Sequence, residues 1–305
     1  EIVYPWNGAV FPPEIAAPTF RWKVEGGACD SWRIEIRFRD GRSLDASTRE
    51  LRWTPAERQW ETIKSRSRES DAVVTVTGLG PSGSSFDSAG VSFRTSNDEV
   101  GAPLFYREVN LPFIDAVKDP SRIRWRFGEI SCRQPPPVVL EKLPVCGNCH
   151  SFSADGAVLG MDVDYANDKG SYAISAVAKD MVLDRGKLIS WRDYAREDGI
   201  PTFGLLSQVS PDGRYVVSTV KDRSVFVATG NLAFSQLFFP IKGILAVYDR
   251  QSEQFSALPG ADDPRFVQSN PVWSPDGKYL VFARSEAHEL ANLRDETRTL
   301  LSPEE

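Results

Sequence analysis

The sequence predicts an all-β protein: an N-terminal β-sandwich followed by a β-propeller region too short to close on itself. Three observations carry this. Short stretches alternating apolar and polar residues fill roughly the first hundred positions. A Ser-x-Asp-Gly turn followed by an apolar run recurs three times in the second half. The third is turn content, with 22 Gly and 21 Pro in 305 residues. The 41% hydrophobic and 26% charged residues are a globular balance. Against 42 acidic side chains stand 36 basic ones, a net charge of −6 with no basic stripe, which excludes the electrostatic footprint of a nucleic-acid binder. The longest apolar run, Leu237 to Ile241, is broken by Pro240 and followed by Lys242, so no transmembrane segment is expected. The chain opens at Glu1 with neither a charged n-region nor an apolar h-region, and reads as a mature or trimmed product.

Residues 1–97 carry the sandwich. Thr19–Val24, Trp32–Arg39, Val73–Val76 and Val91–Arg94 alternate in the strand period and are separated by Gly, Asp and Ser clusters, as in small sandwiches of the fibronectin or immunoglobulin type. Trp53 to Lys64 reads as a helical excursion with Trp60 and Ile63 on one side. Trp22 and Trp32 are read as core, because buried aromatics dominate small β cores. Residues 98–145 lack periodicity and are rich in proline; the run Pro135-Pro136-Pro137 predicts an extended, stiff connector.

Residues 146–305 carry the repeat. Ser153-Ala154-Asp155-Gly156, Ser210-Pro211-Asp212-Gly213 and Ser274-Pro275-Asp276-Gly277 each precede a β run, and the Asp positions lie 57 and 64 residues apart. Glycine takes the positive φ of the turn, so each tetrapeptide predicts a hairpin. A four-stranded propeller blade cannot bury its faces alone, and blades come in rings of about four to eight. The 160 residues available are fewer than a ring needs. The expectation is an incomplete ring, continued in a longer product or finished by a neighbour.

The scarce residues are four Cys, two Met and two His, and three of them share one pentapeptide, Cys146-Gly147-Asn148-Cys149-His150. Cys-x-x-Cys-His is the attachment signature of c-type haem. Two thiols separated by two residues reach the two vinyl groups on one porphyrin edge, and the adjacent His is delivered beneath the iron. A zinc site would need further ligands, with His150 and Cys132 as candidates. Thiol-redox chemistry expects a βαβ context that is missing here. Met161, Met181 and His288 are the candidates for a second axial ligand, Met or His being usual opposite a proximal His. Asp162, Asp164, Asn167 and Asp168 offer oxygen ligands, but without a calcium-loop pattern they read first as solvated turns. Catalytic residues are not nominated, since no nucleophile elbow, metalloprotease helix or phosphate loop is present.

The Ser-Pro-Asp-Gly-(Arg/Lys)-Tyr-(Val/Leu)-Val pattern resembles the WD-like repeat of TolB-type β-propellers. Cys146 to Ser153 followed by Gly160-Met161-Asp162-Val163-Asp164-Tyr165 resembles bacterial extracytoplasmic proteins in which a single c-type haem motif is fused to such a propeller; residues 98–285 carry the likeness. The resemblance implies one haem c, with Cys146 and Cys149 as thioethers, His150 as proximal ligand and Met161 as distal ligand to the iron. It implies a periplasmic or extracellular cytochrome c that transfers single electrons to other redox proteins, a carrier and not an enzyme, within a larger assembly. Phe152, Tyr165 and Tyr172 would shield the porphyrin or fill the sheet core. In an oxidising compartment Cys29 and Cys132 are a possible disulfide. The alternative is a haem-free propeller acting as a protein-binding scaffold.

Overall fold

A computed structural model describes residues 1–24, 29–80, 84–110, 116, 118–143, 147–166, 168–200, 202, 204, 206–228, 236–288 and 298–301. The chain is all-β in class, with one α-helix described over its full length, and it divides into two compact units.

The first unit comprises residues 1–105 and 127–137. Its strands are β1 (Ile2–Tyr4), β2 (Ala9–Phe11), β3 (Phe20–Trp22), β4 (Ser31–Arg37), β5 (Ser43–Thr48), β6 (Arg52–Trp53), β7 (Ala72–Leu79) and β8 (Ser85–Thr95). They form a five-stranded sheet in the order β2-β8-β7-β4-β5 and a three-stranded sheet β1-β3-β6. Strand alternation decides the core: Trp32, Ile34 and Ile36 of β4 point inward with Val74 and Val76 of β7, and meet Phe11, Phe20, Trp22 and Phe93. Trp22 and Trp32 are core, as expected, at 5% and 9% exposure. The helical excursion is α1 (Glu57–Arg66), entered by a Gln59 side chain that accepts from Ala56 N at 2.9 Å. Trp60 and Ile63 are buried, and the Trp60 indole donates to Ile15 O at 2.8 Å.

The region expected to be a connector is not a spacer. β9 (Leu104–Glu108), β10 (Arg124–Gly128) and β11 (Val138–Glu141) form a sheet of order β11-β10-β9. Its residues are shared between the two units, with 106–126 and 138 onward in the second. The physical reason is burial: Ile123, Trp125, Leu140 and Leu143 all lie within 4% exposure, and side chains that apolar do not belong to a solvated linker.

In the second unit, β12 (Gly147–Phe152), β13 (Val158–Val163), β14 (Ser171–Ala176) and β15 (Leu188–Ser190) make an antiparallel sheet in chain order. β16 (Gln208–Val209), β17 (Tyr215–Ala228), β18 (Gln236–Asp249) and β19 (Gln254–Ala257) repeat that order. β20 (Phe266–Trp273) and β21 (Leu280–Glu286) start a third hairpin, and β22 (Arg298–Leu301) pairs parallel with β17. No ring closes among the described strands.

The three Ser-x-Asp-Gly turns join the first two strands of each group, and they share one hydrogen-bond pattern. The serine hydroxyl donates to the Asp carboxylate at 2.5, 2.5 and 2.6 Å for Ser153, Ser210 and Ser274. It accepts from the backbone N–H of Val158, Tyr215 and Tyr279 at 3.0, 2.8 and 3.0 Å. Each Asp takes the N–H two residues on, from Ala157, Arg214 and Lys278. Gly156, Gly213 and Gly277 stand at φ 69°, 71° and 70°, where a Cβ is disfavoured.

β17 is buried on both sides, which explains its run of Val, Ser and Thr. Val216 and Val220 join Tyr172 of the preceding sheet, Trp191 just after it and Val209 of β16, while Val217 joins Leu245, Trp273 and Leu280 in a second cluster. The far face of the third hairpin is bare: Val272, Tyr279 and Val281 are 58%, 70% and 69% exposed.

Candidate functional site

Among the described strands β12 pairs with β13 alone and stands at the edge of its sheet. The ladder matches Gly147 with Val163 and His150 with Met161, so three steps on β12 face two on β13, and a bulge occupies 148–149. Cys146 lies outside the described residues, as does Asn167.

The two faces of β12 differ. On one, a Cβ on Gly147 would come within 2.8 Å of the Trp125 ring and 2.9 Å of Met161 Sδ, so only glycine seats the strand there. His150 lies on this face beside Phe152, their rings edge to face at 6.1 Å. Arg107 donates to Gly147 O at 2.8 Å and clamps the strand's start. Burial, and secondarily the Arg107 guanidinium, hold the His150 imidazole below its usual value. Trp125, fully buried, has an indole N–H with no partner among the described residues.

The other face holds Cys149, Ser151 and Asp162. Ser151 Oγ lies 3.2 Å from Tyr172 Oη and accepts from Val209 N at 2.9 Å, tying the two four-stranded sheets together. Asp162 is buried, accepting from Ser207 Oγ at 2.8 Å and Leu206 N at 3.1 Å, and Trp191 Nε1 donates to the same serine. Burial pushes the Asp162 carboxyl up to about 7. Cys149 is raised to about 11 by burial first and the Asp162 charge second, so its thiol is held protonated and unreactive as it stands.

The sequence-predicted ligands are thus brought close, but not as expected. Cys149 and His150 are neighbours on an extended strand, so their side chains leave on opposite faces. His150 and Met161 are a directly opposed antiparallel pair. Such residues have Cα atoms about 4.5–5.5 Å apart, which leaves no room for a porphyrin between them. In this strand form the residues do not fit a haem, and the expected pairing of Met161 with His150 across the iron is corrected on that ground. Met181 is buried with its N–H bonded to Val139 O, and His288 is exposed.

Cys29 and Cys132 are free thiols, and the expected disulfide is absent from this structure. Cys29 Sγ packs against Gly78 of β7, whereas Cys132 is exposed beside Arg133, which pairs with Glu57 of α1. The acidic cluster does not converge on a cation. Asp164 pairs with Lys169, while Asp168 accepts from Gly170 N and Ser190 Oγ and pairs with Arg192. Among the described residues no group of three or more His, Cys, Asp or Glu comes together, and no helix is long and apolar enough to cross a membrane. Sequence reasoning missed Trp125, Arg107 and the Asp162–Ser207 pair. Gly147, inside the pentapeptide, is the one local signal of a tight seat.

No known family profile and no curated protein matches this sequence. Solved structures match weakly. A eukaryotic initiation factor is 12% identical with a TM-score of 0.32, covering 70% of this chain and 45% of that one. A Synechocystis apocarotenoid oxygenase variant is 11% identical with a TM-score of 0.30, covering 71% and 50%. A second variant of that oxygenase is 10% identical with a TM-score of 0.31, covering 92% and 63%. The chain therefore spans about half the length of the structures it matches, 45% and 50% for the first two. The expectation of a carrier that is not an enzyme is corrected by this finding, since oxygenases stand among the structural neighbours. At these scores the likeness assigns neither a fold nor an activity.

Proposed function

We propose that the chain is a c-type haem protein built on propeller-type blades, exported from the cytoplasm and passing single electrons to other redox proteins. The observation that carries this reading is the place of the Cys146–His150 pentapeptide. Its described residues, 147–150, open a strand that has one neighbour among the described strands and carries a bulge at 148–149. The blade reading is supported by three turns with one hydrogen-bond pattern, each at the head of an antiparallel group. The test is a pyridine haemochrome spectrum of protein made in a host that attaches haem c. A c-type α band is expected, and its absence sinks the proposal.

A second reading, a haem-free scaffold that docks a protein partner, is favoured by the bare face of Val272, Tyr279 and Val281. The same spectrum separates the two.

A further inference from the structure

We infer that residues 147–150 have two backbone states, the edge strand and a turned form, and that the strand is the haem-free state; the inference rests on the haem reading above. The argument is geometric. One porphyrin cannot take both Cys149 and His150 while they leave opposite faces of β12. Nor can it enter between His150 and Met161 while their strands are paired. A chain that carries a haem through this pentapeptide must unseat it.

The structure shows where it would part. Ser151 and Phe152 are paired with Gly160 and Leu159, and Ser151 is held by Tyr172 and Val209, so this half of β12 is anchored. Before it, the bulge interrupts the ladder, and the seat is kept by Gly147 under the Trp125 ring and by the Arg107 bond to Gly147 O. Parting therefore has to break the His150–Met161 pair, which runs in register with Ser151–Gly160. The Trp125 indole N–H beside this seat is buried with no partner among the described residues. Met161 stays in place when the pentapeptide leaves, because β13 is held on its other side by β14, with Met161 opposite Ala173. Its thioether would then face the vacated position.

The experiment compares haem-free and haem-loaded protein by amide hydrogen exchange, beside a haemochrome on the loaded sample. Protection at 147–150 and 161–163 is expected to fall at least about tenfold on loading, while 151–152 and 158–160 keep theirs. In the haem-free protein, Gly147→Ala introduces a Cβ against Trp125. It is expected to speed alkylation of Cys149 about tenfold, with the exposed Cys132 as an unchanged reference. Loaded protein with an α band and undiminished protection at 147–150 overturns the inference and leaves the haem reading standing. An α band that never forms overturns the haem reading and this inference with it. Should the Gly147→Ala protein not fold, the exchange comparison on the natural sequence still decides.

Discussion

The four-stranded sheet β12–β15 and the run β16–β19, which lies within a seven-stranded sheet, are built to one plan and differ in their opening strands. Both are antiparallel in chain order and both begin with a Ser-x-Asp-Gly hairpin whose hydrogen bonds match to within a few tenths of an ångström. The second opens with β16, two residues in regular register. The first opens with β12, six residues with a bulge, a glycine seat and two chemically distinctive side chains on opposite faces. The turn alone specifies the hairpin, so the residues before it are free to be spent on chemistry.

The comparison can be broken at the core the two sheets share. Tyr172 is fully buried between them, and Tyr172→Ala is expected to cost about 3–5 kcal/mol in urea unfolding. A loss below about 1 kcal/mol would mean the sheets are not one cooperative body. The turns give a finer contrast. Gly213→Ala forces a Cβ to 3.1 Å from Val158 of the first sheet, whereas at Gly156 nothing lies within 4 Å. Both carry the left-handed penalty of about 1–2 kcal/mol, and Gly213→Ala is expected to exceed Gly156→Ala by about 1 kcal/mol. Equal losses would show the two turns to be equivalent.

Ser210 is 3% exposed and Ser274 is half-buried, so Ser210→Ala should cost about 1–2 kcal/mol and Ser274→Ala about 0.5. The smallest effect is a titration. The Arg214 side chain, bonded to Asp249 across β17 and β18, holds that carboxyl down to about 2. Its contribution is present above the ordinary carboxylate range and is lost as pH falls through about 2. NMR of Asp249 should place its midpoint there in the natural protein and higher in Arg214→Gln.

The turns, the helix and the alternating strands were legible because each is encoded within a few neighbouring residues. Ser153, Asp155 and Gly156 make their bonds to one another and to Ala157 and Val158. The sheet β9-β10-β11 was not, since fifteen and nine residues separate its strands and its proline run stands beside β11 without revealing it. The backbone of residues 147–150 was not legible: Gly147 is seated against Trp125, twenty-odd positions earlier, and no local propensity reports that. Asp162 looked like one more surface acid because Asp164 and Asp168 surround it; only the neighbouring sheet, through Ser207 and Leu206, makes it a buried one.

The hairpin between β12 and β13 closes over a turn of a few residues, and such closures take on the order of 1–10 μs. Synthesis delivers about 5–20 residues per second. Once Val163 and its neighbours have emerged, the pentapeptide therefore has ample time to zip shut before the rest of the chain exists. Any agent that must handle Cys146 to His150 in the open works against a clock set by this turn. It must capture the segment early, or wait for rare local openings of a strand that Gly147 allows to lie flat.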